Sequence, residues 1–454
     1  MTITRATARV CGLLVLAALC GPVAASAAAS PAGSGGARIV SERPLPDNGI
    51  ELTIATSAFA ARTRVEVYLP AGYGVDPNRR WPVTYYLHGA DGDQARFHAW
   101  YGDLIKDFPA IVVSPDGGLA GFYSDWYNRG AGGPPMYETY DIDQLIPLID
   151  ARFRTTASRA GRAVIGESMG GYGVMTYASR HPDLFAAAAS LSGAVDSNYL
   201  PFTGLITLAP MLQGGLPDSI YGSRVTDEVR WHGHNPTDLA ANLRDVDLQV
   251  RTAEGIPTTI IEDGAPDSVV GCTTEAGVYQ ARVDFHQQLL ALGVPHFWKD
   301  YGAGCHSLPN FRREFADALP GLEAVFAKPR SAPKAFDYRS IEPHFTIWNW
   351  SIEADPARAL EFMQMSHAGR RGLTLVGSGR TEVTTPPFFN GRSAVVVITD
   401  GVKRAVVPDS DGRLHFSLDL GPAHPNQQYG AAAALAGDGK PGYFTSRTVR
   451  FVRR

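Results

Sequence analysis

Polar and apolar residues alternate along R-T-R-V-E-V-Y-L-P (62–70), and apolar runs follow in W-P-V-T-Y-Y-L-H-G (81–89), A-I-V-V-S-P-D (110–116) and A-V-I-G-E-S (163–168). Each run has the length and the flanking turn residues of a strand. Segments of helical period separate them, at Tyr140–Phe153 and Gly173–Arg180. Two further strand–helix pairs are expected: T-T-I-I-E-D (258–263) before a helix over Ala276–Leu292, and H-F-W-K-D-Y (296–301) before a helix over Leu308–Ala318. Apolar strands alternating with helices predict a mostly parallel sheet covered on both faces, an α/β fold.

The pattern changes after Leu322, at the linker A-K-P-R-S-A-P-K (327–334). Beyond it lie short β-rich runs at Ser340–Ile352, Gly372–Gly377, Ala394–Thr399, Leu414–Leu420 and Tyr443–Val452, with one helical piece near Ala357–Met365. Such spacing predicts an all-β, sandwich-like domain. Its aromatic residues Trp348, Trp350, Phe388, Phe389 and Tyr429 are expected in its core or against the first domain.

The start of the chain reads differently again. Arg5 and Arg9 precede the apolar run Val10–Leu19, and the small residues V-A-A-S-A-A-A-S (23–30) follow, the build of a secretory signal peptide cut after Ala27 or Ala29. The expected organisation is a signal peptide over 1–29, a linker or extension over 30–49, an enzyme domain over 50–325, a linker over 326–335 and a β domain over 336–454. No other segment approaches the ~18 unbroken apolar residues of a membrane span. With 44% hydrophobic and 19% charged residues and a net charge of -4, neither disorder nor a nucleic-acid partner is indicated. Cys11 and Cys20 would leave with the signal; Cys272 and Cys305 remain, a pair that in an exported protein reads as a disulfide.

G-E-S-M-G-G (166–171) follows the strand R-A-V-I directly and opens a helical pattern. A serine on such a strand-to-helix turn is held clear of the sheet edge, and glycines two positions either side remove Cβ atoms that would clash. Ser168 is therefore the candidate nucleophile. A serine needs a base, and the base a carboxylate, in the order Ser, acid, His. His306, in the loop G-A-G-C-H-S, is the candidate base. Asp267, in the loop after T-T-I-I-E-D, is the candidate acid, with Glu262, Asp263, Glu275 and Asp284 competing. The oxyanion donors are expected to be the backbone N–H groups of Met169 and Ala90, with Gly89 as runner-up. No cofactor or metal is implied; His232 and His234 lack a third ligand.

These residues resemble the esterase D family, which includes S-formylglutathione hydrolases and the antigen 85 mycolyltransferases. The resemblance runs over residues 50–320 and rests on G-E-S-M-G-G, on G-F-Y-S-D-W-Y (121–127) and on Cys305-His306-Ser307. It implies an α/β-hydrolase fold, and it implies that Trp126 lines the substrate site; His88, beside the oxyanion loop, is read as a further substrate-site residue, with a hydrogen-bonded brace of that loop as its alternative. E-D-G-A-P-D (262–267) is similar to the acid loop of the formylglutathione hydrolases. In antigen 85 the acid sits on the following helix, where Glu275 and Asp284 stand here. Positions that hold trehalose in the mycolyltransferases read His88, Asp91 and Leu308.

A secreted serine carboxylic-ester hydrolase is the leading reading. An acyltransferase delivering to a sugar or glycerol hydroxyl is the second, and a non-catalytic surface-binding protein on a hydrolase scaffold the third. Ester-bearing small molecules, lipids and acylated polysaccharides are the expected substrates, with an envelope or polymer surface as the β domain's partner.

Overall fold

The computed structural model describes residues 36–258, 268–389 and 393–453. The signal segment 1–29 and Asp267 lie outside the described residues, as do Glu262, Asp263 and nearly all of T-T-I-I-E-D.

The strands at 63–68, 83–87, 111–115 and 162–167 form where the apolar pattern placed them. They belong to a sheet in which nine strands are described: β1 (Arg38–Leu45), β2 (Gly49–Ala55), β3 (Thr63–Tyr68), β4 (Val83–Leu87), β5 (Ile111–Pro115), β6 (Arg162–Glu167), β7 (Ala187–Leu191), β8 (Asp247–Thr252) and β9 (Phe297–Asp300). Their order is β1-β2-β3-β5-β4-β6-β7-β8-β9. From β5 to β9 all pairings are parallel, while β1, β2 and β3 join antiparallel at one edge. This is the α/β-hydrolase arrangement. Alternate residues of β6 serve two cores: Val164 packs on one face, Ala163 and Ile165 on the other.

Four elements depart from the sequence reading. Residues 38–45, expected within a linker, pair with β2. β7 is so alanine-rich that it carries little strand signal, and β8, L-Q-V-R-T, is half polar although buried. The piece near 357–365 is not helical: Met363–Gly369 is a strand paired with Ala335–Ser340. Good helix formers there yield to sheet pairing and burial.

Past the linker, two antiparallel sheets, of six and four strands among the described residues, enclose a separate apolar core that includes Trp350 and Phe389. They pack on the first region through Val229, Leu239, Ile341 and Phe362. Asn242 and Arg339 exchange two hydrogen bonds, and Arg180 pairs with both Glu138 and Glu342. Tyr429 lies against the ring of His232.

What positions the site is the carboxyl edge of the parallel strands. Loops leaving β4, β6, β7 and β8 carry residues 88–92, Ser168, Ser192 and Ala253, and two long helices return to the same edge: α1 (Val269–Ala291) and α2 (Leu308–Ala327). Among the described residues no helix is long and apolar enough to cross a membrane.

Candidate active site

Ser168 stands between β6 and the helix Met169–Arg180 with φ 56° and ψ -119°. A side chain other than glycine pays for such a backbone, and the surrounding structure must hold it there. Two close approaches do so. A Cβ on Gly166 would lie 2.3 Å from the Leu87 carbonyl oxygen, and one on Gly170 only 1.8 Å from it. Both glycines are thus required for β4 and the helix to meet, and their meeting fixes the serine.

His306 Nε2 lies 2.6 Å from Ser168 Oγ, and its Nδ1 lies 2.6 Å from Glu275 Oε2. Glu275 is fully buried on the first turns of α1. Its other oxygen accepts from Arg282 Nη2 at 2.6 Å and from Ser192 Oγ at 2.6 Å. Burial pushes the Glu275 carboxyl up, but Arg282, His306 and Ser192 outweigh it and hold it below the ordinary carboxylate value. An ionised carboxylate only accepts, so the imidazole carries its proton on Nδ1 and turns the Nε2 lone pair to Ser168.

Among the described residues, the carboxylate meeting His306 is Glu275; Asp267 lies outside them. A single Nδ1–H is satisfied by one carboxylate, and the helix begins early enough to bring Glu275 to it. Asp284 instead accepts from Gln280. Cys272, one turn before Glu275, is bonded to Cys305, the residue before His306. The His306 N–H also donates to Gly271 O at 3.0 Å. Helix α1 and the His306 loop are thus clipped together at two adjacent points.

The loop after β4 lies against the serine: a Cβ on Gly89 would be 3.2 Å from Ser168 Cβ. Gly89 N–H donates to Glu167 Oε1 at 2.9 Å and Asp91 N–H to Leu119 O at 2.9 Å. Between them, Ala90 N–H has no acceptor among the described residues. Met169 heads its helix, so its N–H has no intrahelical acceptor either. Arg96 braces the loop through Ala90 O and Asp91 Oδ1.

His88 braces the loop after β4. Its ring is fully buried; Nε2 accepts from Gly117 N–H at 2.8 Å and Nδ1 donates to Gly89 O at 2.7 Å. Burial lowers its pKa, which keeps the ring neutral, as those two bonds require. Trp126 is also buried, its indole N–H on Gly121 O. It also lines a crevice of about 600 Å³ shared with Arg180, Glu342 and Phe345. His232 sits between Glu228 and Asp238, while His234 Nδ1 is on Arg230 O. Among the described residues no group of three or more His, Cys, Asp or Glu side chains converges to hold a metal.

Sequence reasoning missed Glu167, Arg282 and Ser192. Glu167 accepts from Tyr86 OH and Gly89 N–H, tying β6 to the loop after β4. Arg282 had a signal: seven residues after Glu275, it falls on the same helical face two turns on.

Residues 56–322 match the model of the Esterase family. Esterase Rv1288 of Mycobacterium tuberculosis (strain ATCC 25618 / H37Rv) is 33% identical over 273 residues, 58% of this chain and 57% of that protein. The chain thus spans little more than half the length of that relative. The diacylglycerol acyltransferase/mycolyltransferase Ag85B of Mycobacterium leprae (strain TN) is 33% identical over 252 residues, 54% of this chain and 73% of that protein. Among solved structures, Mycobacterium tuberculosis MPT51 aligns over 63% of this chain and 99% of its own with a TM-score of 0.50 and 19% identity, a likeness of fold.

Proposed function

The chain belongs to the Esterase family, and from that premise we propose that it is an exported serine carboxylic-ester hydrolase with Ser168 as nucleophile, His306 as base and Glu275 as acid. The observation that carries this reading is the His306 ring held between Ser168 Oγ and Glu275 Oε2 at 2.6 Å on each side.

Ser168 Oγ attacks the ester carbonyl carbon as its proton passes to His306 Nε2, and Glu275 stabilises the imidazolium so formed. The carbonyl oxygen gains negative charge and is met by the N–H groups of Ala90 and Met169. His306 then returns the proton to the departing alkoxide, leaving an acyl group on Ser168. Water, deprotonated by the same nitrogen, releases the acid. An alcohol in place of water would complete an acyl transfer, a second reading favoured by the Ag85B similarity. Against transfer to trehalose, the sugar-holding positions are filled by His88, whose ring is buried and fully bonded, by Asp91, paired with Arg96, and by Leu308.

The substrate class we infer is a lipid-like ester. Residues 200–217 carry no charge, and Leu200, Leu205, Leu208, Met211, Leu212 and Leu216 are exposed along them. A charge-free apolar patch of this kind marks a site that meets another apolar surface. It reaches the oxyanion loop by contact: Tyr137 OH donates to Gln213, a Cβ on Gly118 would lie 2.6 Å from Gln213 Oε1, and the neighbouring Leu119 accepts from Asp91. Export is supported by the residue 1–29 pattern and by the disulfide. The sheets beyond residue 335 supply none of the proposed catalytic groups.

Turnover of p-nitrophenyl esters of short and long acyl chains, with and without glycerol, tests this function. Release of free acid, rising with chain length and absent in Ser168→Ala, is expected. Acyl-glycerol as the main product would establish the transferase, and no turnover of any ester would refute both.

A further inference from the structure

Behind Glu275 lies a second carboxyl that the proposed chemistry leaves unused. Glu314, on α2, is fully buried. Its Oε1 lies 2.9 Å from Ser192 Oγ, the same hydroxyl that lies 2.6 Å from Glu275 Oε1. Asn310 Nδ2 donates to Glu314 Oε1 at 3.1 Å and approaches Ser192 Oγ at 3.3 Å. Ser192 itself holds φ 44°, a left-handed backbone that a serine adopts at a cost, at the end of β7.

A hydroxyl has one proton. Two carboxylates cannot both accept it, and an ionised pair would set one carboxylate against a lone pair of Ser192 Oγ. The charges give the same answer. The buried cation Arg282 pairs with Glu275, and among the described residues Glu314 has no salt bridge of its own. A second buried negative charge would be uncompensated, a cost of several kcal/mol that a bound proton removes.

We propose that Glu314 is a positioning residue, whose carboxyl proton is donated to Ser192 Oγ so that the Ser192 hydroxyl points at Glu275. The chain then runs Glu314, Ser192, Glu275, His306, Ser168, each donor with one acceptor. Glu275 Oε1 is pinned by Ser192 and Arg282, which leaves Oε2 for His306. Burial, with Glu275 close by, pushes the Glu314 pKa up to about 8, with Arg282, Ser192 and Asn310 opposing. Tyr101, which also feels the Glu314 charge, is buried and held neutral, its pKa far above the ordinary value. The proposal rests on Glu275 being the acid.

The test compares Glu314→Gln with Glu314→Met, using a soluble short-chain p-nitrophenyl ester. Loss of the donor in Glu314→Met should lower kcat about tenfold with KM unchanged, the weight of one neutral hydrogen bond. Glu314→Gln, whose amide N–H can donate to Ser192, should restore most of it. Protonation is read separately from urea midpoints. A raised carboxyl pKa makes wild-type stability fall as pH rises from about 4.5 to about 8 and level off above, whereas Glu314→Gln lacks that fall. The gap between the two proteins should widen across that window.

A gap constant with pH overturns the proposal, as does Glu314→Gln being as slow as Glu314→Met, or Glu314→Met being as fast as wild type. Where Glu314→Met does not fold, the midpoint gap decides alone. Failure of the acid assignment has its own signature: Asp267→Asn inactive while Glu275→Asp stays active, and this overturns the proposal with it.

Discussion

Ser168 Oγ and His306 Nε2 meet at 2.6 Å across a separation of 138 residues. Nothing local to either residue brings them together. β6 and its turn deliver the serine, and a loop clipped to α1 by Cys272–Cys305 delivers the histidine. The site is a property of the sheet's carboxyl edge, and each of the following outcomes probes one support of it.

The acid is decided by a pair of substitutions. Glu275→Asp keeps the charge beside Arg282, but its shorter arm cannot serve both Arg282 and His306; kcat should fall on the order of 10³-fold or more, with the imidazole no longer fixed in its tautomer. Asp267→Asn should leave kcat within about threefold, since another carboxylate already holds Nδ1. Steady-state kinetics on a soluble ester read both.

Cys272→Ser with Cys305→Ser releases a link spanning 33 residues. Chain-entropy reasoning assigns it ~3–4 kcal/mol, which denaturant unfolding should register. A further loss in kcat is expected, because the same link holds the acid helix beside the histidine loop.

Gly170→Ala should prevent correct folding around the nucleophile. The added Cβ would sit 1.8 Å from a carbonyl oxygen of a central strand, backbone that has no free rotamer to yield. A destabilisation of about 3 kcal/mol or more is expected, seen as a lowered Tm.

Ser168 and His306 were legible in the sequence because each sits in a short, local pattern: strand, G-x-S-x-G and helix for one, a Cys-His-Ser loop after the last strand for the other. The parallel sheet was legible because its central strands are unbroken apolar runs. Glu275 was visible only as an alternative, since the start of α1 depends on a loop whose length no local rule sets. The spacing of Cys272, Glu275 and Arg282 on one helical face was the clue available. For His88 two roles stayed open, because the burial that puts its ring against Gly89 and Gly117 is not written in the residues around it. Ser192 and Glu314 carry no local signature at all; 122 residues apart, they meet only through folding.

Leu208→Asn combined with Met211→Asn places two polar groups in the exposed apolar segment. Hydrolysis of a short, fully dissolved ester should be unchanged, while turnover of a long-chain ester in micelles should fall at least severalfold through weaker contact with the lipid surface. Equal effects on both substrates would show that the segment acts on the catalytic groups instead.

The most direct measurement of the central claim is covalent capture of the nucleophile. The full-length protein is treated with an alkyl fluorophosphonate, which forms a stable bond to an activated serine, and digested peptides are mapped by mass spectrometry. One adduct is expected, on Ser168, formed in step with loss of ester turnover, and Ser168→Ala should show neither labelling nor turnover. Labelling of a different serine with Ser168 unmodified, or ester turnover persisting in Ser168→Ala, would contradict the assignment of this site.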